Sequence, residues 1–448
     1  MPLASYRRAA AGTLRRAMTP RRRNGIAIAA TVVLVGVLVL VGVITTGGTS
    51  KTLPSTTSAI PTTTNPYAAE AARTVLAAKH DVNATFPSVQ GSPAPALADR
   101  PYRRSLGRHE VVGFVPYYEL GSLGSTNLAA FTDLVYYSLD VRRNGALVEN
   151  SSSGGWTALQ DGGAGNLVAA GHADGDRVLL SVFAESQTVL GSLSSHPLVS
   201  GKRLADELAP LLSQLAFDGV DLDLEGQDAS DRAGFVAFVA AFSARLRSLD
   251  RSWTIMLNTL PQSAEDTTGF FDVPALAPSV DDLFVMAYDM DNTEIPSADA
   301  PLTGAALSDV IALITYSAAG LARKTILGMP FYGYDFPAAG ARVGAQADGQ
   351  PYAVAYYQIA ASIAHDGHKP LWDPATDTPY TVFRRSGQWH QTWFDNPTSI
   401  ALKTALAAQF HTAGVGAWEL GMVQGEPEMI KVLTGGSAVV KLPLASQP

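Results

Sequence analysis

One run of nine residues, Phe217-Asp218-Gly219-Val220-Asp221-Leu222-Asp223-Leu224-Glu225, restricts what this chain can fold into more than any other segment. Asp221, Asp223 and Glu225 alternate with Val220, Leu222 and Leu224, so a strand sends the acids from one face and the aliphatics from the other. A helix would turn each acid about 200° from the last and spoil both faces. On a strand, successive acids lie about 7 Å apart by backbone rise, close enough for their charges to interact. The interleaved aliphatics and the preceding Phe217 mark a buried strand rather than a solvated edge. Carboxylates lined up in this way either hold a cation or share protons.

The cation alternative fails on its own spacing. Asp221, Asp223, Glu225 and Gly226 fall at positions one, three, five and six of a calcium loop, which needs a bidentate acid at position twelve. That position is Arg232. No metal or other cofactor is expected. His365 and His368 lie close together, but Gly367 and Pro370 indicate a loop there and no acids accompany them.

The rest of the chain alternates strand and helix patterns. Buried strands are expected at residues 111–115, 134–139, 178–183, the acidic run, 253–260, 283–288, 326–331 and 415–420. Helical stripes separate them: Leu204, Leu208, Leu211, Leu212 and Leu215; Phe235, Phe238, Val239, Phe242, Leu246 and Leu249; Val310, Ile311, Leu313 and Ile314; and a last helix over 399–410. Eight strands with intervening helices in about 320 residues predict an α/β fold, a (β/α)₈ TIM barrel. A doubly wound open sheet is the rival, weakened because no glycine-rich phosphate loop follows the first strand. About 80 residues part the seventh and eighth strands, far more than an ordinary connection. This stretch holds Tyr352, Tyr356, Tyr357, Trp372, Tyr380, Phe383, Trp389 and Trp393, and predicts a small α+β insertion at about 334–395. Most of these aromatics are expected in the lobe's own core.

Charge and hydropathy divide the chain further. The first 50 residues carry seven arginines and no acid. Removing those seven from the 32 basic residues leaves 25 against 40 acids, a net charge of −15 for the remainder. Such an acidic body disfavours nucleic acid as a partner. Residues 26–44 form an apolar run long enough to span a bilayer, with arginine on one side only, which places 1–25 in the cytoplasm and the rest outside. Secretion after signal cleavage is the alternative. Residues 45–108 read as a Ser/Thr/Pro-rich linker and lead-in, with an alanine-rich helical stretch at 67–79. The compact domain is expected over 109–435, followed by a tail at 436–448. With no cysteine in the chain, disulfides and thiolate chemistry are excluded.

The Asp-Gly-x-Asp-x-Asp-x-Glu run resembles glycoside hydrolase family 18, the chitinase family. Met286-Ala287-Tyr288-Asp289, Gly328-Met329-Pro330-Phe331-Tyr332-Gly333 and Gly416-Ala417-Trp418 resemble its motifs on strands six, seven and eight. Leu371-Trp372-Asp373 and Asn396-Pro397-Thr398-Ser399-Ile400 are similar to its insertion region. Two segments depart from the pattern: Ser181-Val182-Phe183-Ala184 stands where chitinases commonly have Ser-x-Gly-Gly, and Gly226-Gln227 replaces an aromatic and proline. These departures are closer to members acting on peptidoglycan glycan strands.

The resemblance implies hydrolysis of β-1,4 bonds in N-acetylglucosamine-containing glycans, chitin-like or peptidoglycan, with the sugar's own 2-acetamido group as nucleophile. Glu225, nearest the strand's C-terminal end, would be acid and then base. Asp223 would orient the acetamide, Asp221 would share a proton with Asp223, and Tyr288 would donate to the acetamido oxygen. Asp289, Trp418 and Tyr332 would bind substrate. Asp218, of opposite parity, would be structural support. The expected partners are a poly- or oligosaccharide and, through the N-terminal span, a membrane; the chain is expected to be a monomer. The rival function is a glycan-binding barrel without catalysis, but such relatives usually lack the terminal glutamate that Glu225 supplies.

Overall fold

The computed structural model describes residues 109–434 apart from 122, 124–125, 151–153 and 292. The basic N-terminus, the apolar run 26–44, the linker with its alanine-rich stretch, and the tail at 436–448 lie outside the described residues. Among the described residues no helix is long and apolar enough to cross a membrane.

Eight parallel strands close into a barrel. They are β1 (Glu110–Pro116), β2 (Asp133–Asp140), β3 (Arg177–Ala184), β4 (Gly219–Leu224), β5 (Thr254–Thr259), β6 (Asp282–Met286), β7 (Thr325–Pro330) and β13 (Gly414–Trp418), the last pairing with both β7 and β1. Helices follow the strands, as a (β/α)₈ barrel requires. In chain order they are α1 (Gly154–Gln160), α2 (Gly163–Asp174), α3 (Gln187–Ser195), α4 (Pro197–Leu215), α5 (Arg232–Leu249), α6 (Val273–Leu276), α7 (Asp309–Ala318), α8 (Tyr356–Asp366), α9 (Pro397–Gln409) and α10 (Pro427–Thr434).

The apolar stripes account for the outer layer. Leu204, Leu208 and Leu212 of α4 and Phe235, Phe238, Val239, Phe242 and Leu246 of α5 are buried. Leu249 departs from its stripe, being 42 % exposed where the last turn of α5 runs out. Among the helices that escaped the pattern, α1 and α2 are glycine-rich, and their stripes are too short to stand out. The eighth strand ends at Trp418 rather than Leu420, because a 3₁₀ turn over Leu420–Val423 takes up the chain.

Alternate residues of the strands fill the barrel. Val112 and Phe114, Val135 and Tyr137, Leu179, Met256, Phe284, Met286 and Ile326 form one interior cluster. Phe284 fits only because two strands give way to it: a Cβ on Gly328 or Gly416 would come within 2.6 Å of its ring. At the N-terminal end, buried Arg177 pairs with Glu110 and Asp133 and donates to Thr254 Oγ1. The opposite end carries the half-buried Phe183, Tyr288 and Trp418, packed on the cluster from above.

Between β7 and β13 the chain builds a second sheet from β8 (Tyr332–Ala338), β9 (Tyr352–Ala355), β10 (Leu371–Asp373), β11 (Thr378–Arg385) and β12 (Gln388–Phe394), in the order β10-β11-β12-β8-β9. Its pairings are antiparallel. One residue, Phe331, separates β7 from β8, so the lobe rises directly from the barrel's C-terminal rim. Tyr332, Tyr334, Phe336 and Phe394 of β8 and β12 are buried. Of the eight aromatics named from the sequence, Tyr356, Phe383 and Trp393 are buried as well, while Tyr352 is 40 % exposed and the others are intermediate. A sheet with a single helix of its own cannot cover both faces, which leaves fewer of them in a core than their number suggests.

Candidate active site

The acidic strand is β4, and its parity holds in three dimensions. Val220, Leu222 and Leu224 are fully buried on the outer side, whereas Asp221 and Asp223 face the barrel interior among residues of β2, β3 and β5. Ser181, opposite Asp221 in the β3–β4 register, donates its hydroxyl to Asp221 Oδ2 at 2.7 Å. Burial, then the neighbouring Asp223 charge, holds the Asp221 carboxyl well above the usual carboxylate range, against the Ser181 bond. Asp223 is pushed up to about 6 by burial, opposed by hydrogen bonds from Asn258 and Tyr137. Two such neighbours cannot both ionise cheaply, so together they carry about one proton near neutral pH.

Glu225 stands one residue beyond β4, at the rim. Its amide donates to Ala184 O at 2.8 Å, extending the β3–β4 ladder, and its carbonyl accepts from Gln187 Nε2 at 3.3 Å. Gln187, at the start of α3, also accepts from the amides of Gln227 and Asp228. The loop after the glutamate is therefore stapled in place. Gly226 is glycine because the Phe270 ring lies 2.2 Å from where a Cβ would sit. Burial, then the charges of Asp223, Asp289 and Glu185, raise the Glu225 carboxyl well above its ordinary value and keep it protonated. Arg232, the residue that spoiled the calcium-loop spacing, instead opens α5 and donates to Gly269 O and Phe271 O.

Strand β6 delivers the next pair. Tyr288 packs on the barrel cluster, and burial followed by Asp223, Asp289, Glu225 and Asp221 keeps its hydroxyl a neutral donor. Asp289 is exposed, with φ +56°, and its Oδ1 accepts the hydroxyls of Tyr332 at 2.6 Å and Tyr334 at 2.8 Å. Tyr332 is itself buried and reaches the mouth through that carboxylate. Trp418, the last residue of β13, stands perpendicular to Tyr137 at 4.6 Å and 5.5 Å from Phe114. Tyr137 also meets Phe183, 5.6 Å away, giving an arc Trp418–Tyr137–Phe183 beside Asp223.

Asp221, Asp223, Glu225, Tyr288, Asp289, Trp418 and Tyr332 are thus gathered at one end of the barrel. Asp218 is not: it precedes β4 at the strand's other end, where its Oδ2 accepts from Val178 N and pairs with His172. His365 is helical, in α8, and His368 stacks on Phe383 at 4.2 Å. The sequence reading missed Tyr137, Asn258, Ser181 and Tyr334. Asn258 had a signal, a lone amide directly after the apolar run Ile255-Met256-Leu257; Tyr137 had only its place near a strand's end.

A closed parallel barrel bearing a protonated carboxylic acid, a proton-sharing acid pair, a neutral phenol and an aromatic wall at its C-terminal rim defines a (β/α)₈ glycosidase. The family model of the glycosyl hydrolases family 18 matches residues 112–422, and the chain belongs to that family. It is similar to di-N-acetylchitobiase of Mus musculus, 25 % identical over 280 residues covering 56 % of this chain and 72 % of that protein. It is also similar to the cortical fragment-lytic enzyme of Bacillus anthracis, 22 % identical over 303 residues and 65 % of each chain. Among solved structures, the family GH18 chitinase of Cycas revoluta in complex with allosamidin superposes with a TM-score of 0.65 at 20 % identity, over 73 % of this chain and 99 % of that one.

Proposed function

We propose that the protein hydrolyses β-1,4 bonds in N-acetylglucosamine-containing glycans by substrate-assisted catalysis with net retention. The observation that carries this reading is Glu225, a rim carboxyl kept protonated by burial beside Asp223. Glu225 donates its proton to the leaving glycosidic oxygen while the 2-acetamido carbonyl oxygen of the sugar closes on the anomeric carbon. Asp223, carrying the pair's negative charge, takes the acetamide N–H and offsets the oxazolinium charge, with Asp221 holding the shared proton. Tyr288 donates to the acetamido oxygen, Asp289 takes a sugar hydroxyl, and the Trp418 face supports the ring's C–H surface. Glu225 then deprotonates the water that opens the oxazolinium. The similarity to a chitobiase and to a chitinase solved with (GlcNAc)3 supports the substrate class.

Glu225→Gln is expected to lower turnover by about 10²–10⁴-fold while leaving the melting temperature and oligosaccharide binding near wild type. Unchanged turnover rejects the assignment. A thiazoline mimic of the cyclised acetamide is expected to inhibit competitively; no inhibition points to direct attack by a carboxylate. Mass spectrometry of products from chitin oligomers and purified peptidoglycan identifies the glycan.

Residues 26–44 are proposed to anchor this domain outside the cell membrane, with the arginine-rich end in the cytoplasm. The full chain is then expected to sediment with membranes and a chain lacking residues 1–44 to stay in the supernatant.

A further inference from the structure

We propose that Asp299, in the loop between β6 and α7, is the positioning residue that sets Asp289 for substrate. The inference rests on the sugar-binding role given to Asp289 above. Asp289 adopts φ +56°, a left-handed conformation that strains a residue with a Cβ and persists only where its surroundings enforce it. Asp299 supplies that enforcement twice. Its Oδ1 accepts the Asp289 amide at 2.8 Å, and its backbone carbonyl accepts the Met290 amide at 2.9 Å. Both peptide N–H groups flanking the strained turn therefore end on one residue, ten positions later in the chain.

Asp299 is itself fixed. It is 1 % exposed, and the carbonyl of the next residue, Ala300, accepts from the buried Lys403 Nζ at 2.6 Å. Lys403 belongs to α9 and also pairs with Asp395 and Asp309, so the loop is tied to the barrel's outer layer. What this rigidity controls is the aim of one carboxylate. Tyr332 and Tyr334 both occupy Asp289 Oδ1, which leaves Oδ2 for a sugar hydroxyl. Rotation of the Asp289 backbone would break the two tyrosine bonds and turn Oδ2 away. Burial, then the charges of Asp289 and Asp291, hold the Asp299 carboxyl well above the usual range. It acts as a neutral acceptor, and its Oδ2 has no hydrogen-bond partner among the described residues.

The test is a set of variants assayed on N-acetylglucosamine oligomers. Asp299→Asn keeps a neutral acceptor in place and is expected to hold kcat/KM within about threefold of wild type. Asp299→Ala removes the acceptor and is expected to lower kcat/KM about tenfold or more, the scale of a misplaced substrate contact. Asp299→Ser, whose oxygen falls short of the Asp289 amide, should show the same loss and replaces the alanine variant if that variant does not fold. Combined with Asp289→Ala, the Asp299 change should add little, whereas with Trp418→Ala the two losses should multiply. Wild-type kinetics for Asp299→Ala, or full multiplicativity with Asp289→Ala, overturns the positioning role. Wild-type kinetics for Asp289→Ala alone overturns instead the role assigned to Asp289, and the positioning with it.

Discussion

At the scale of single residues, the site works by keeping protons where isolated side chains would lose them. Asp221, Asp223 and Glu225 are all shifted upward chiefly by burial, and the Asp223 charge raises the other two further. The signs fix a pH profile. In the proposed mechanism Glu225 acts while protonated, so activity is expected to fall as pH rises through its raised pKa. In the same mechanism the Asp221–Asp223 pair acts while it holds a negative charge, so activity is expected to fall as pH drops through about 6, the value for Asp223. The plot of kcat/KM against pH should be a bell with an acid limb near 6 and an alkaline limb well above the ordinary glutamate value. Asn258→Ala removes one bond that favours the charged Asp223 and should move the acid limb upward. A limb that stays put in that variant, or sits near 4 in the wild type, would mean that the pair does not control the rate.

At the scale of elements, the site depends on how the insertion, the β6–α7 loop and α9 are joined. Lys403 is fully buried, with Nζ 2.6 Å from Asp395 at the end of β12 and 3.3 Å from Asp309 at the start of α7. Burial pushes Asp309 up to about 7, with Lys403 opposing and Asp395 adding to the rise. Lys403→Met leaves two buried acids without a cation and should cost about 3–5 kcal/mol of stability near neutral pH. Without the lysine the folded-state pKa of Asp309 rises further above that of the unfolded chain. The loss is therefore absent when Asp309 is protonated in either state and grows as pH climbs from about 4 to 8. Denaturant titrations at the two ends of that range check it; an equal loss at both would show that packing alone is responsible. The same elements show what was legible in the sequence. The helix α9 was, as a stretch over 399–410, although it starts two residues earlier at Pro397, behind a reciprocal capping box of Asn396 and Ser399. The strand-four acids were, because parity is a local property. The Lys403 hub joins residues 300, 309, 395 and 403, and the left-handed Asp289 is held from residue 299. No periodicity encodes contacts of that separation.

At the scale of the whole molecule, charge and fold act together on the choice of substrate. The chain beyond residue 50 carries a net −15, and the charges acting on Glu225 are those of Asp223, Asp289 and Glu185, all acids. A site lined by one sign of charge on a like-charged body projects a negative potential into solvent and slows the approach of anions. Chitin oligomers are neutral, whereas peptidoglycan strands carry carboxylates, on the stem peptide where one is attached and on the lactyl group where none is. The two substrates should therefore respond differently to salt. Raising the ionic strength from about 0.01 M to 0.5 M shortens the screening length from about 30 Å to under 8 Å. For a chain lacking residues 1–44, which removes the seven arginines, kcat/KM on neutral oligomers should change by less than about twofold over that range. On soluble peptidoglycan strands it should rise about tenfold, the low end of electrostatic effects on encounter. Parallel salt responses would show that the acids at the rim are neutralised or turned away from the approach path, and that the glycan is selected by contacts within the site alone.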